Sequence, residues 1–299
     1  MKRMFFAILI MTSCVLSFYF SASIFPGTSF AGQGKYKLTQ LWETPRDLRV
    51  PESVLYHETG KTLYVSNING KPAEKNGQGF ISKVTLEGHI EVLEWATGLN
   101  APKGSAVYKD RFYVSDIDRL VEIDLETGKI VAEYPARGAR FLNDVVTDVA
   151  GNVYVSDMDF ENSVIYKLEK GVMKVWLRDP EIDKPNGLYM EDDRLLVGNT
   201  GDGSLKAVDL TTRKVSTLAS VGLGIDGLRG DGKGNYFISN WHGKTSVVTA
   251  SGQVTTLMDT TPDKINSADL EYIKGMNLLL IPTFFDNRVV AYRVEKVDN

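Results

Sequence analysis

The chain contains 299 residues, a length that suits one large all-β domain or two ordinary domains. Hydrophobic residues make up 43% and charged residues 24% of the sequence, which are the proportions of a soluble globular protein. The formal net charge is −4, and the chain carries no cluster of basic residues of the kind that contacts phosphate groups. These values exclude a nucleic-acid-binding protein, and nothing in them indicates an obligate protein partner.

The first residues have the pattern of a secretory signal peptide. Lys2 and Arg3 precede an apolar run from Met4 to about Phe20, and small residues follow at Ser29-Phe30-Ala31. We therefore predict a signal peptide over residues 1–31, with approximate cleavage after Ala31, and export to the periplasm or the extracellular space. No membrane contact is expected after cleavage. The alternative is an uncleaved anchor, because the apolar run is near the lower limit of about 17 residues for a spanning helix.

The predicted mature chain has few residues suited to soft metals or covalent catalysis. Cleavage removes two of the 34 basic residues and none of the 38 acidic ones, which gives a net charge of −6. It also removes Cys14, the only cysteine, which excludes disulfides, thiol nucleophiles and cysteine-bound zinc. The histidines are His57, His89 and His242, so a three-histidine zinc site would need all of them. This inventory favours metal chemistry based on oxygen ligands.

From Tyr36 onward, short apolar strands alternate with turns in six similar copies. A small residue ends the second strand of each copy, at Ser66, Ser115, Ser156, Gly198, Ser239 and Pro282. The intervals of 49, 41, 42, 41 and 43 residues predict a six-bladed β-propeller with four-stranded blades. A two-domain β-sandwich would not explain such even spacing. The strand from Lys37 to Trp42 is expected to close the ring by pairing into the last blade. The first interval is long because a polar loop is inserted from Asn67 to Gly79, either as a lid or as an ordinary solvated loop.

The first strand of each propeller blade lines the central channel, so the residue that opens each copy should lie at one mouth. These six opening residues are Glu52, Lys103, Asn143, Asn186, Asp226 and Ala268. Four of them offer side-chain oxygen atoms, which are the ligands that Ca²⁺ prefers. Mg²⁺, Mn²⁺ and Zn²⁺ remain alternatives. The competing interpretation is that Asn and Asp merely form turns before strands.

Four segments together resemble the senescence marker protein (regucalcin) and gluconolactonase family. They are Glu52, Arg140-Phe141-Leu142-Asn143-Asp144, Pro185-Asn186-Gly187-Leu188 and Asp226-Gly227-Leu228. The resemblance covers about residues 37–295 and depends on the order and spacing of the segments rather than on any single motif. It implies a six-bladed propeller with a catalytic divalent metal ion in its channel.

The resemblance also implies roles for individual residues. Glu52, Asn186 and Asp226 match the family's metal ligands, while Asn143 matches a position that binds metal in some members and substrate in others. Asp226 further matches a residue proposed as general base or nucleophile. Arg140 is a candidate for sugar binding, although one extra residue separates its aromatic neighbour from Asn143, unlike the usual gluconolactonase pattern.

The loops after the second strands should lie at the same mouth as the opening residues. Trp241, with Phe284 or Phe285, would form an apolar wall typical of a small-molecule site. His242 is the only histidine expected at this face and is a candidate proton carrier, with a plain surface histidine as the alternative. Lys103 would offer an ammonium group to an anionic substrate or, alternatively, pair with Asp144.

These features predict an exported hydrolase that depends on one divalent metal ion and acts on a lactone or related ester. The metal ion, expected to be Ca²⁺, would polarise the substrate carbonyl, and Asp226 would act as general base on water. The alternative is a non-catalytic propeller that binds a small molecule or a protein partner on the same face.

Overall fold

The structure is a computed structural model that describes residues 29–31 and 36–297. The predicted signal peptide lies outside these residues except for Ser29–Ala31, so its cleavage and the export of the protein remain predictions. Within the described part of the chain, no helix has the length and apolar character needed to cross a bilayer. Three single-turn 3₁₀ helices interrupt an otherwise strand-and-turn chain, at Thr261–Asp263, Lys274–Met276 and Phe284–Asp286.

Six antiparallel sheets form six blades around a channel, which confirms the predicted all-β, six-bladed propeller. The chain begins with β1 (Ser29–Ala31) and β2 (Tyr36–Glu43). Blade 1 contains β3 (Pro51–His57), β4 (Thr62–Asn67), β5 (Gly79–Val84) and β6 (Ile90–Leu99). Blade 2 contains β7 (Pro102–Tyr108), β8 (Arg111–Asp116), β9 (Arg119–Asp124) and β10 (Ile130–Pro135). Blade 3 contains β11 (Leu142–Thr147), β12 (Val153–Asp157), β13 (Val164–Glu169) and β14 (Val172–Leu177).

The same four-stranded pattern continues in the second half of the ring. Blade 4 contains β15 (Pro185–Met190), β16 (Arg194–Asn199), β17 (Ser204–Asp209) and β18 (Val215–Ser220). Blade 5 contains β19 (Leu228–Gly230), β20 (Tyr236–Asn240), β21 (Lys244–Val248) and β22 (Val254–Asp259). Blade 6 contains β23 (Glu271–Ile273), β24 (Leu278–Pro282) and β25 (Val289–Lys296) together with β2 and β1. The innermost strands β3, β7, β11, β15, β19 and β23 follow one another around the channel, and β23 contacts β3.

Blade 6 joins the two ends of the described chain. Its strand order is β23-β24-β25-β2-β1, and β2 pairs antiparallel with β25. The predicted closing strand is therefore confirmed. Leu38 of β2 is fully buried in a cluster with Phe237 of blade 5 and Leu279 of blade 6. This pairing and packing close the ring.

Apolar side chains alternate along the strands and pack between neighbouring blades. In β8, Phe112 and Val114 pack with Tyr64 of blade 1, whereas Tyr113 packs with Val155 of blade 3. Successive side chains of a strand point to opposite faces, so both faces of a blade are covered. A one-residue slip would exchange the two faces, and burial on both sides therefore fixes the register of each strand.

β-Bulges turn the opening residues toward the channel. In β3 the pairing with β4 skips from Pro51 to Ser53, which leaves Glu52 in the bulge. The equivalent bulges in β7, β11 and β15 contain Lys103, Asn143 and Asn186. A bulge leaves its extra residue out of the ladder and re-aims the side chain, as is common beside active sites.

A serine at the end of the second strand links neighbouring blades. Ser156 Oγ accepts a hydrogen bond from the Asp144 backbone nitrogen at 2.9 Å and donates to the Asn186 carbonyl at 2.8 Å. The same link to the next blade occurs from Ser115 to the carbonyl of Asn143 and from Ser239 to that of Ala268. In blades 2, 3 and 5 the periodic small residue of the sequence thus holds the opening residue of the following blade.

Candidate active site

A cavity of about 510 Å³ opens at one mouth of the channel, a volume within the usual range of small-molecule sites. Its floor is formed by five of the six opening residues, Glu52, Lys103, Asn143, Asn186 and Asp226. Its wall is formed largely by the loops after the second strands, and comprises Ile68, Pro72, Phe141, Met158, Thr200, Gly222, Leu223, Gly224, Asn240, Trp241, His242 and Phe284. Ala268 does not line the cavity.

The floor brings together buried oxygen atoms that lack partners. Asn186 Nδ2 donates to Asp226 Oδ1 at 2.7 Å, which ties blade 4 to blade 5. Three buried side-chain oxygens of the floor have no hydrogen-bond partner among the described residues, namely Glu52 Oε2, Asn143 Oδ1 and Asn186 Oδ1. An unpartnered buried acceptor costs about 1–3 kcal/mol. Three such atoms at one floor indicate a site for a ligand that is positively charged or donates protons.

Met158 explains the orientation of both asparagine side chains. Its Sδ lies 3.7 Å from Asn143 Nδ2 and 3.4 Å from Asn186 Nδ2. Thioether sulfur is a weak hydrogen-bond acceptor, so both amide nitrogens turn toward it as donors. Both amide oxygens are then left for a ligand. Met158 lies in one of the mouth loops, but the sequence pattern gives it no chemical role.

Burial and mutual repulsion raise the pKa values of the floor carboxyl groups. The pKa of Asp226 rises to about 7, mainly because of burial; the hydrogen bond from Asn186 opposes this shift and the charge of Asp144 adds to it. The pKa of Glu52 is raised well above its usual range by burial and then by the charge of Asp226. A cation beside these groups would reverse both shifts, because an opposite charge favours the ionised form.

The donor set fits a hard divalent cation. Two carboxylates and two amide oxygens are ligands that Ca²⁺ accepts, and further positions would remain for water or substrate. Among the described residues, no group of three or more His, Cys, Asp or Glu side chains is arranged to hold a metal ion. A metal site at the floor would therefore need the amide oxygens of Asn143 and Asn186. That dependence favours Ca²⁺ or Mg²⁺ over Zn²⁺, which prefers nitrogen and sulfur ligands.

Lys103 contributes an ammonium group to the floor. Its Nζ donates to the Ala101 carbonyl at 3.1 Å and lies 4.5 Å from the centre of the Phe141 ring. Burial lowers the pKa of Lys103 to about 8, against the opposing charges of Glu52 and Asp116. The ammonium group of Lys103 thus lies on the same floor as the Glu52 carboxyl group, and each favours the charged form of the other.

Aromatic side chains form one side of the wall. The Trp241 ring centroid lies 5.5 Å from that of Phe284 and 5.4 Å from that of His242. Phe285 also contacts Trp241, with centroids 6.0 Å apart, but it is exposed and does not line the cavity. The residues predicted for the mouth thus come together, with Phe284 rather than Phe285 in the wall.

The inserted loop after β4 reaches the cavity through Ile68 and Pro72. Ile68 is fully buried, and Lys75 Nζ forms an ion pair with Asp118 Oδ2 at 2.5 Å. The loop therefore covers part of the mouth and is held to blade 2.

Arg140 lies away from the cavity. Its exposed guanidinium pairs with Glu161 at 2.5 Å and lies 3.9 Å from Asp159. The extra residue Leu142 is fully buried at the start of β11, and Phe141 lines the wall in place of Arg140. The geometry gives no support to Arg140 as a substrate-binding residue.

A buried ion cluster next to the floor was not predicted. Arg229 Nη1 lies 3.6 Å from Asp144 Oδ2, and its Nη2 lies 3.8 Å from Asp269 Oδ2. Arg229 Nε also lies 3.5 Å from Glu271 Oε2. Asp144 is thus balanced by Arg229 rather than by Lys103. The sequence signal that could have indicated this cluster is that Asp144 and Asp269 each directly follow an opening residue.

Comparison with known proteins places this architecture in a family. The model for the SMP-30/gluconolactonase/LRE-like region matches residues 50–268. No curated protein sequence matches the chain significantly. A gluconolactonase of Xanthomonas campestris superposes with a TM-score of 0.64 at 16% identity, over 90% of this chain and 94% of that one.

Two further structures share the fold. A virginiamycin B lyase from Staphylococcus aureus superposes with a TM-score of 0.59 at 13% identity, over 88% of this chain and 100% of that one. A chain of a nidogen–laminin complex superposes with a TM-score of 0.58 at 18% identity, over 75% and 89%. At these identities the structures support the fold alone, whereas the family model matches well over half of the sequence. The chain belongs to the SMP-30/gluconolactonase/LRE-like family.

Proposed function

We propose that this protein is a divalent-metal-dependent hydrolase that opens a lactone or cleaves a related ester. The observation that carries the proposal is the convergence of three unpartnered buried oxygens, from Glu52, Asn143 and Asn186, beside Asp226 on one cavity floor. Membership of a family named for gluconolactonase supports an enzyme of the lactone-hydrolase type. The gluconolactonase among the structural neighbours has the same fold as this chain.

Glu52, Asn143, Asn186 and Asp226 would hold one divalent ion, and Ca²⁺ suits this set of oxygen ligands best. When bound, the ion supplies a Lewis acid that polarises the substrate carbonyl and stabilises the negative charge that develops on its oxygen. Neighbouring groups keep the ligands in position, since Ser156 holds the backbone of Asn186 and Met158 holds both amide groups.

Asp226 would act as the general base. Its Oδ1 accepts the hydrogen bond from Asn186, which leaves Oδ2 to remove a proton from a water molecule in the cavity. That water would attack the carbonyl carbon, the acyl carbon–oxygen bond would break, and the leaving oxygen would take up a proton to give a hydroxy acid. The ammonium group of Lys103 lies at the same floor and would attract the carboxylate of this product.

Turnover with and without metal tests the proposal. We expect chelator-treated protein to lose hydrolysis of a panel of lactones and esters, and added Ca²⁺ to restore it. A folded protein that hydrolyses none of these compounds, with or without Ca²⁺, Mg²⁺, Mn²⁺ or Zn²⁺, would contradict the proposal. It would favour a propeller that only binds, a role open to the fold because function resides in the site.

We also propose that the protein is exported through its N-terminal segment. The basic start, the apolar run and the small residues before Ala31 support this location. Sequencing the N-terminus of protein recovered from the periplasm or medium should find it near Gly32. A full-length chain in the membrane fraction would instead indicate an uncleaved anchor.

A further inference from the structure

We infer that the substrate is a lactone or ester that carries a hydrocarbon chain, rather than a polyhydroxylated sugar lactone. This inference rests on the proposed hydrolase function and concerns which substrates the same cavity selects. Three observations carry it: the composition of the wall, the hydrogen bonds already made by the polar wall residues, and the backbone conformation of one aromatic residue.

The wall above the floor is mainly apolar. Its large apolar side chains are Ile68, Phe141, Met158, Leu223, Trp241 and Phe284. Leu223 and Trp241 are 41% and 37% exposed at the mouth. Large apolar side chains that remain exposed around a cavity mark a surface for apolar ligands, because water contact with them is unfavourable.

Two of the three polar wall side chains already make hydrogen bonds to the backbone. Thr200 Oγ1 donates to the Ile225 carbonyl at 2.8 Å, and Asn240 Nδ2 donates to the Gly224 carbonyl at 2.6 Å. Asn240 Oδ1 accepts from the His242 backbone nitrogen at 3.1 Å. The third polar wall side chain, the imidazole of His242, is exposed at the rim. The several hydroxyl groups of a sugar lactone would therefore find few free partners along the wall, and those beyond reach of the floor would lose water without replacement.

Phe284 is held in an unusual conformation that keeps its ring in the wall. Its φ is 50°, in the left-handed region that bulky residues avoid, yet its side chain is buried beside Trp241. Such a conformation persists only where surrounding structure enforces it, and it is found most often at binding sites. The fold thus maintains an apolar surface at this point despite the backbone strain.

Floor and wall together suit an amphiphilic substrate. The carbonyl group would lie at the floor near Asp226, and the hydrocarbon chain would extend along Leu223 and Trp241 toward the mouth. Burial of each methylene group should then strengthen binding in proportion to the apolar surface removed from water.

A homologous series of substrates tests this selectivity in the intact, Ca²⁺-loaded protein. We expect kcat/KM to rise from γ-butyrolactone through γ-octalactone to γ-undecalactone by about fourfold per added methylene, which corresponds to about 0.8 kcal/mol. D-Glucono-1,5-lactone should be a poorer substrate than γ-undecalactone. Equal kcat/KM values across the series, or a preference for gluconolactone, would overturn the inference while leaving the hydrolase proposal intact.

A wall variant tests where the chain binds. Trp241→Ala should lower the ratio of kcat/KM for γ-undecalactone to kcat/KM for γ-butyrolactone about tenfold or more. Phe160→Ala is the matched control, because Phe160 is an exposed aromatic residue, at 79%, that does not line the cavity. Equal losses on both lactones in Trp241→Ala would contradict binding of the chain at this wall.

If no lactone is hydrolysed, the affinity for ketones that resemble the lactones tests whether the wall binds a hydrocarbon chain. Calorimetry should then show that 2-heptylcyclopentanone, which cannot be hydrolysed, binds more tightly than cyclopentanone, and that Trp241→Ala removes the difference. That result would uphold the apolar cavity while the hydrolase proposal fails. Equal affinity for the two ketones, or no binding of either, would overturn the inference.

Discussion

The proposed function places two demands on Asp226 that normally conflict, since it would bind a cation and also accept a proton. Its Oδ1 is fixed by Asn186 at 2.7 Å, and burial raises its pKa to about 7 in the protein without metal. A bound cation would lower that pKa and keep the carboxylate ionised. In the proposed function, the surroundings of this one residue would therefore connect metal binding to catalysis.

Replacing Asp226 by asparagine tests this double role. Asp226→Asn keeps the side-chain shape but removes the charge and the base, so turnover should fall by about 10²–10⁴-fold on any hydrolysed substrate. Asp110→Asn is the control, because Asp110 lies in an exposed turn that does not line the cavity. Steady-state kinetics measure both variants. Wild-type turnover in Asp226→Asn would refute the assignment of the base.

The stability of the metal-free protein should depend on pH in the direction set by Asp226. Its pKa is about 7 in the folded chain and 3.8 in the unfolded reference, so between these values Asp226 holds its proton in the folded state but not in the unfolded state. The contribution of Asp226 to stability must therefore decrease as pH rises through this interval. Added Ca²⁺ should remove the decrease, because it takes the place of the proton.

Calorimetric unfolding with chelator and with Ca²⁺ measures this dependence. The increase in Tm on adding Ca²⁺ should be larger near pH 8 than near pH 5. An increase that is the same at both pH values would contradict the account of the floor carboxylates.

Among individual residues, the sequence predicted those that occupy the same position in each copy. It missed residues whose role depends on contacts between different copies. Glu52, Asn143, Asn186 and Asp226 share one register in the copies, so pattern alone selects them. Met158 contacts two asparagines from different blades, and no spacing within one copy encodes that contact.

Among the elements, the serine link from the second strand to the next blade joins neighbouring blades at three places. Ser156→Ala would leave the buried Asn186 carbonyl without its hydrogen bond, and it should lower the free energy of unfolding by about 1–3 kcal/mol. The affinity for Ca²⁺ should also decrease, because Asn186 loses its backbone anchor.

Ser216→Ala provides the matched control, since Ser216 is exposed on β18 and should change stability little. Urea unfolding and metal titration of the two variants give the comparison. Equal stability of Ser156→Ala and Ser216→Ala would show that the link between blades contributes little.

The second element-scale feature is the cluster centred on β19. Arg229 approaches carboxylates from two other blades, and burial raises the pKa of Asp144 while Arg229 opposes that shift. Arg229→Met should leave two buried carboxyl groups uncompensated and destabilise the fold by about 3–5 kcal/mol. Arg293→Met, an exposed arginine on β25, is the control for urea unfolding. Similar stabilities would argue against a compensating role for Arg229.

Strand positions were largely predictable, whereas the details of pairing were not. The closing strand predicted from Lys37 to Trp42 extends in the structure from Tyr36 to Glu43. The bulges that aim Glu52 and Asn143 follow from the register between two strands, which one strand's sequence does not contain. The environment of Arg140 likewise depends on where the additional Leu142 packs.

For the whole molecule, ring closure through β2 should control stability. Leu38 is fully buried, so Leu38→Ala should cost about 2–5 kcal/mol of unfolding free energy. Leu41 of the same strand is 42% exposed, and Leu41→Ala should cost about 0.5 kcal/mol or less. Chemical unfolding measures both. Equal effects would contradict a closing role for the packed face of β2.

The fold was predictable because six copies repeat the same pattern of strands and turns. A misassigned strand in one copy therefore does not change the predicted architecture. The site was less predictable because it is asymmetric. Ala268 opens its copy without a ligand atom, and Lys103 supplies a cation where other blades supply oxygen. Such departures from the repeat, together with the apolar wall, determine what the propeller binds.

Metal binding at the floor is tested most directly by calorimetric titration of chelator-treated protein with Ca²⁺. The wild-type chain and Glu58→Gln, which alters an exposed turn, should each bind one ion at the floor. Glu52→Gln should weaken that binding about 100-fold or more, because it removes one of the two ligand carboxylates. Unchanged affinity in Glu52→Gln, or no binding by the wild-type chain, would contradict the metal site on which the proposed function depends.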